Sequence, residues 1–235
     1  MRKGELQKEK ILQTASELFL TKGYEKTSVQ DILDALQLSK GGFYHYFESK
    51  QALLALICQN KTRQQFENVK QRLTGNRLNP SQRLGLLLAQ PCLMLSLDEE
   101  LFSVMLKVSY IDGDVSFREA MRQDMFSRLL PMIDDAVHDG CADGSFFTRY
   151  AENIGRLLLN LAYDINDEIC CELAKDTGNA DSILRIHSLL NTYRDSCEKL
   201  LGAAYGSIDL VHFEQLPEKW HNIHRKLNVS EESEE

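Results

Sequence analysis

The chain has 235 residues, 43% of them apolar and 26% charged, with a formal net charge of −8. That apolar share supports a substantial core and excludes a continuously disordered chain, and the length allows one domain or two. The charge is unevenly placed: residues 1–72 hold 12 Lys and Arg against 8 Asp and Glu, a balance of +4, whereas residues 73–235 hold 15 against 27, a balance of −12. A basic front on an acidic body points to nucleic-acid contact at one end.

Met1 to Lys10 is charged and lacks the apolar stretch of a signal peptide. The longest apolar tract, Leu84 to Leu97, is interrupted by Gln90 and Pro91 and falls short of the roughly 20 residues a membrane span needs. The expectation is a cytoplasmic protein with no membrane partner. The cysteines at 58, 92, 141, 170, 171 and 197 then read as reduced, buried thiols.

Residues 6–22 predict a first helix, with Ile11, Leu12, Ala15, Leu18 and Phe19 at three- and four-residue spacing and Gly23 as its stop. Thr27 to Leu36 predicts a second, with Thr27 as N-cap, Gln30 in the capping-box position and a stripe of Val29, Ile32, Leu33 and Leu36. Only Gln37 and Leu38 separate it from Ser39, a good N-cap for a third short helix. On that helix Phe43 and Phe47 share an apolar face. Lys40, Gly41, Tyr44 and His45 share a polar and aromatic one. Two short helices joined by so tight a turn follow the helix-turn-helix plan, in which the second helix enters the major groove. Ser49 caps the next helix, where Lys50 opposes the helix dipole and reads as a phosphate contact.

A long helix from Lys50 to Leu73, carrying Leu53, Leu54, Ile57 and Phe66, links this head to a body. Residues 74–80 break the pattern. Helices are then expected from Pro80 to Leu97 with a kink at Pro91, over 99–109, and from Phe117 to His138 with Pro131 inside. Between the last two, Asp112 and Asp114 lack the calcium-loop spacing and read as a solvated turn. A glycine-punctuated loop covers 139–145. Two long amphipathic helices come next, Arg149 to Leu173 and Ala180 to Ala204. Trp220, Ile223 and Leu227 mark a short docking helix, and 230–235 an acidic disordered tail. His221 and His224 lie three apart with no third ligand nearby, so no metal site is assigned.

The fold class expected is all-α. A three-helix DNA-binding domain over 1–50 precedes a larger helical domain over 51–229 and the tail over 230–235.

Leu18-Phe-Leu-Thr-Lys-Gly-Tyr-Glu-Lys-Thr-Ser-Val-Gln-Asp-Ile32, followed by Ser39-Lys-Gly-Gly-Phe-Tyr-His-Tyr-Phe47, resembles the N-terminal domain of TetR-family transcriptional regulators. The resemblance covers roughly residues 6–56, about a fifth of the chain. Gln37 departs from it, standing where the family turn usually has glycine, and so requires a left-handed non-glycine residue. Leu33 stands where a small residue is common.

The resemblance implies that Lys40, Tyr44 and His45 contact bases or backbone and that Gly41 lets the strand approach. Thr27, Ser28, Ser39, Tyr46 and Lys50 are the implied phosphate contacts. It implies a homodimer built on the last two long helices, through Leu157, Leu161, Ile165, Ile186, Leu190, Tyr193 and Cys197. It also implies an unidentified small, apolar or amphipathic effector, for which Cys92, Phe102, Met105, Tyr110, Met125, Phe147 and Tyr163 are the candidate lining. Such a protein binds a palindromic double-stranded operator, most often as a repressor. No Gly-x-Ser-x-Gly elbow and no paired-cysteine metal spacing occurs, so no enzyme, cofactor or catalytic residue is expected. The competing reading is a helical adaptor acting through protein partners, which would select no sequence from random duplexes.

Overall fold

The computed structural model describes residues 3–75, 78–91, 99–175 and 180–210, and among these every regular element is helical. Helix α1 (Lys3–Thr21) buries Ile11, Leu12, Ala15 and Phe19, the stripe its spacing predicts. Helix α2 (Val29–Leu36) is capped by Ser28, one residue later than expected. The Asp31 amide donates to Ser28 Oγ at 3.1 Å, and Asp31 Oδ2 accepts from the Ser28 amide at 2.7 Å. This reciprocal capping box replaces the predicted Thr27–Gln30 pair.

The turn after α2 places Gln37 at φ 52°, ψ 42°, so a side-chain-bearing residue occupies the left-handed region. That conformation costs roughly 1–2 kcal/mol for an L-residue. It lets the Leu38 amide bond back to Leu33 O at 2.9 Å, which closes the end of α2. Helix α3 (Lys40–Tyr44) begins at once.

Helix α4 (Lys50–Gly75) passes through both cores of the molecule. Its first half gives Leu53, Leu54, Ile57 and Cys58 to a core shared by α1–α3 with parts of the body. Its second half gives Phe66 to a second core. The reading head and the body are therefore joined by packed side chains as well as by the chain.

Helix α5 (Pro80–Leu88) starts on an Asn79–Gln82 capping box. It ends short of the predicted Leu97, with Pro91 in the turn beyond it, and 92–98 lie outside the described residues. Helix α6 (Glu99–Leu106) runs into a π turn, Lys107–Ile111, where the Asp112 amide donates five residues back to Lys107 O at 2.8 Å. Asp114 then caps helix α7 (Val115–Asp143), its carboxylate accepting from the Phe117 amide at 2.9 Å. Helix α7 carries Pro131 as expected but continues through most of the predicted 139–145 loop. It can do so because Gly140 has no side chain: a Cβ there would lie 2.1 Å from the Phe146 ring. The helix stops at Gly144, at φ 82°.

Helices α8 (Ala151–Ala174) and α9 (Ala180–Leu201) complete the body. Beyond α9 the chain folds back. The buried Glu198 carboxylate accepts from the Gly206 and Ile208 amides at 3.0 Å each. This brings the Asp209 carbonyl against Gly85 of α5. The predicted docking helix near Trp220, the histidines at 221 and 224 and the tail over 230–235 lie outside the described residues.

Four of the seven predicted dimer contacts belong to the protomer's own core. Ile186 and Leu190 sit in the first cluster, and Tyr193 and Cys197 in the second. The Tyr193 hydroxyl donates inward to Leu158 O at 3.2 Å. Of the rest, Leu157 is 53% exposed, and Leu161 and Ile165 are half-buried. Cys58, Cys170 and Cys197 are buried free thiols, and burial pushes Cys58 up to about 12. Cys171, in contrast to expectation, is exposed. Among the described residues no helix is long and apolar enough to cross a membrane.

Candidate nucleic-acid interface and body cavity

Ser39 starts α3 by accepting from the Gly42 amide at 3.2 Å. The helix is anchored from below by Phe43, which is fully buried, and by Phe47. With that face fixed, Lys40, Gly41, Tyr44 and His45 all lie on the outer surface, and Tyr44 is 54% exposed. Its ring stands edge-on to Phe43, 5.4 Å between centroids, so the buried ring sets the angle of the exposed one. Ser28 and Ser39 are exposed, and each also serves as a cap. Tyr46 is half-buried and reaches the start of α1, where a Cβ on Gly4 would meet its hydroxyl at 3.4 Å.

Two predicted phosphate contacts are turned inward. Thr27 is fully buried, its hydroxyl donating to Gly23 O at 2.7 Å. Lys50 donates to Tyr24 O at 2.9 Å and to Thr27 O at 3.1 Å, so its cation ties α4 to the turn between α1 and α2. Burial lowers the Lys50 pKa from its ordinary value, with Glu25 acting the other way. Burial, helped by the charge of Glu25, holds the Tyr24 phenol well above its ordinary value. The Thr27 hydroxyl faces the interior, and the Lys50 ammonium is half-buried against two backbone carbonyls.

In the body, a cavity of about 160 Å³ lies where the two cores meet. Met105 and Met121 of the first core line it together with Met125 and Tyr163 of the second. The π turn supplies Ser109 and Tyr110. Four of the predicted lining residues, Met105, Tyr110, Met125 and Tyr163, thus share one cavity. Phe102 is packed in the first core instead. Phe147 is 77% exposed and lies by Gly202, so it is no part of the cavity. Cys92 lies outside the described residues.

The sequence reading missed the polar half of the lining: Arg118, Arg122, Asn166 and Asp167. The Tyr110 hydroxyl donates to Asp167 Oδ1, and burial raises that phenol far above its ordinary value. The Arg118 and Arg122 guanidiniums lie across the rings of Tyr110 and Tyr163, at 5.1 and 5.3 Å from their centroids. Their only sequence signal is two arginines one helical turn apart, a pattern shared by any solvated helix face.

One contact joins this cavity wall to the head. Lys107, at the start of the π turn, lies 3.9 Å from Glu25 in the turn between α1 and α2. The same head turn is held on its other side by Lys50.

Residues 11–57 match the model for bacterial regulatory proteins of the tetR family. The chain is 41% identical over 68 residues to YvdT, an uncharacterized HTH-type transcriptional regulator of Bacillus subtilis (strain 168), covering 29% of this chain and 35% of that protein. It is 39% identical over 49 residues to the HTH-type transcriptional repressor DhaR of Mycobacterium sp. (strain GP1), covering 21% of this chain and 25% of that one. The chain therefore matches about a third or less of the length of these relatives. Among solved structures, Thermus thermophilus FadR, a TetR-family transcriptional repressor in complex with lauroyl-CoA, superposes with a TM-score of 0.54 at 20% identity, over 79% of this chain and 92% of that one. At that identity the likeness is one of fold.

Proposed function

We propose that this chain, whose residues 11–57 match the model for bacterial regulatory proteins of the tetR family, is a ligand-responsive repressor acting on a palindromic operator. The observation that carries this reading is the α3 surface: Lys40, Gly41, Tyr44 and His45 face outward on a helix pinned from beneath by Phe43 and Phe47. Lysine supplies phosphate attraction, the aromatic and imidazole groups reach base edges, and glycine allows close approach. Ser28 and Ser39 add hydroxyls at the rim, and Tyr46 its exposed edge. Thr27 and Lys50 act from inside, by holding the head together.

One five-residue helix reads few base pairs, so the operator is read by a homodimer with half-sites one or more helical turns apart, about 34–36 Å per turn. The exposed leucines of α8 and α9, Leu157 and Leu184, with the half-buried Leu161 and Ile165 of α8, are the apolar surface for that pairing. The domain division is taken as 1–50 for reading, 51–229 for effector binding and pairing, and 230–235 as a tail.

The effector occupies the cavity between the two cores. A molecule there changes how the cores sit together, and it shifts DNA affinity only to the extent that it prefers one arrangement. The complex of FadR, a protein of this fold, with lauroyl-CoA supports an apolar or amphipathic effector.

The test is selection of duplexes from a random pool by the full chain, followed by gel shift and native mass spectrometry. The expected result is an enriched two-fold-symmetric site bound by a dimer, with Tyr44→Ala binding it more weakly at unchanged melting temperature. Enrichment of no sequence would overturn the reading in favour of a protein adaptor.

A further inference from the structure

Arg118 and Arg122 stand one turn apart on α7 and both line the cavity. Like charges at that spacing repel. Among the described residues neither forms an ion pair. Arg118 donates to the Ser109 carbonyl at 3.4 Å, and Arg122 to Asn160 Oδ1 at 3.0 Å, both neutral acceptors. The two carboxylates in the lining already have neutral donors. Asp167 accepts from the Tyr110 hydroxyl, and Glu119 accepts from Gln123 Nε2 at 2.8 Å. Two cations that form no ion pair among the described residues thus line the cavity, beside two carboxylates each engaged by a neutral donor.

We infer that the cavity takes an anionic amphiphile, its carboxylate or phosphate head held by Arg118 and Arg122 and its apolar part lying among Met105, Met121 and Met125. The inference rests on the effector reading and names the chemistry of that ligand. A tyrosine ring lies against each guanidinium, 5.1 and 5.3 Å from Cζ to the ring centroid, and a guanidinium is a planar fork that binds an oxyanion through two parallel hydrogen bonds. Methionine side chains adapt to a ligand of irregular shape. The inner space, about 160 Å³, is close to the roughly 150 Å³ that accommodates a benzene-sized molecule. A ring or a short chain fills it. A second, shallower cavity of about 350 Å³ shares Arg122 and Glu119 with the first and runs between α7 and α8 to Arg156, whose guanidinium lies 5.3 Å from the Phe126 ring centroid. A ligand longer than the inner cavity continues there, again past a cation.

The test is calorimetric titration of the full chain with octanoate, octyl phosphate and 1-octanol. The same three are run on an Arg118→Gln/Arg122→Gln variant whose melting confirms that it folds. At least one anion is expected to bind wild type about tenfold or more tighter than the alcohol, as a charge-assisted contact implies. The variant is expected to lose that preference while binding 1-octanol as wild type does. Preference for octyl phosphate over octanoate assigns a phosphate head, and the reverse a carboxylate. Equal binding of alcohol and anions, binding of none of the three, or a preference that survives in the variant overturns the inference. Release of operator DNA by 1-octanol as well as by the anions overturns the anionic class and keeps the effector reading. Anion binding that leaves DNA bound keeps the site and removes its regulatory role.

Discussion

The Lys50 ammonium sits 4.1 Å from the centroid of the Tyr24 ring and donates to the carbonyls of Tyr24 and Thr27. A cation in the first turn of a helix opposes the helix dipole. Here two carbonyls and an aromatic face compensate it, and all three belong to the turn between α1 and α2. The residue is a brace between the start of α4 and the turn joining α1 to α2.

Replacing Lys50 by Met removes both charge-assisted bonds. Hydrogen bonds to charged groups contribute about 1.5–3 kcal/mol each, so Lys50→Met lowers stability by at least about 1.5 kcal/mol, read as a lower urea midpoint. Lys40→Ala, on the exposed face, stays within about 0.5 kcal/mol of wild type. The salt dependence of operator affinity reverses the order: Lys40→Ala reduces the slope by about 1, and Lys50→Met leaves it unchanged.

Asp31 links acid stability to the cap of α2. Hydrogen bonds from the Lys22 ammonium, at 2.6 Å, and then from Ser28 hold its carboxyl well below its ordinary value of 3.8. A group depressed in the folded state adds stability above its unfolded value and loses it as pH falls toward the folded one. The stability difference between wild type and Asp31→Asn is therefore constant above about pH 5 and shrinks below about pH 4. Melting curves of both proteins from pH 7 to pH 3 check this.

Gly85→Ala tests the chain that folds back after α9. A Cβ at that position would lie 2.3 Å from the Asp209 carbonyl oxygen, and backbone has no rotamer by which to yield. The cost is about 1–3 kcal/mol, typical of an overpacked contact. Amide exchange is expected to rise first at Gly206 and Ile208, whose hydrogen bonds to Glu198 hold the segment.

Lys107 separates coupling from stability. Its contact with Glu25 is partly exposed and contributes about 0–1 kcal/mol. Lys107→Gln should melt within that margin of wild type, yet alter how far a bound effector lowers operator affinity. Equal effector-induced release in both proteins would place the route from cavity to head elsewhere.

Much of the head was legible because its signals are local. The Ser39 cap, the Phe43 and Phe47 anchor and the left-handed Gln37 each depend on residues within one turn of one another. The second cap was missed by one position because Thr27 and Ser28 are both good caps with a hydrogen-bonding residue three places on. The role of Lys50 was invisible for another reason. Its partners are backbone carbonyls 23 and 26 residues earlier, and backbone acceptors leave no mark on residue type. The stripe on α9 was read correctly as apolar, and the four residues named on it for pairing, Ile186, Leu190, Tyr193 and Cys197, are buried within the protomer. Periodicity gives a buried face, but not whether the same protomer or another covers it. The arginines of the cavity were overlooked because a cation facing a void and one facing water share the same letter.

The π turn at Lys107–Ile111 carries the cavity wall at Tyr110 and the head contact at Lys107 on a single wide loop of backbone. Hydrogen bonds there reach five residues instead of four, so that stretch stores a residue the neighbouring helix would not hold. Excising one position between 107 and 111 would tighten the coil and swing the downstream side chains by roughly 100°. Tyr110 would then turn away from its arginine while α6 stayed whole, so the fold has its slack at a joint that touches both halves.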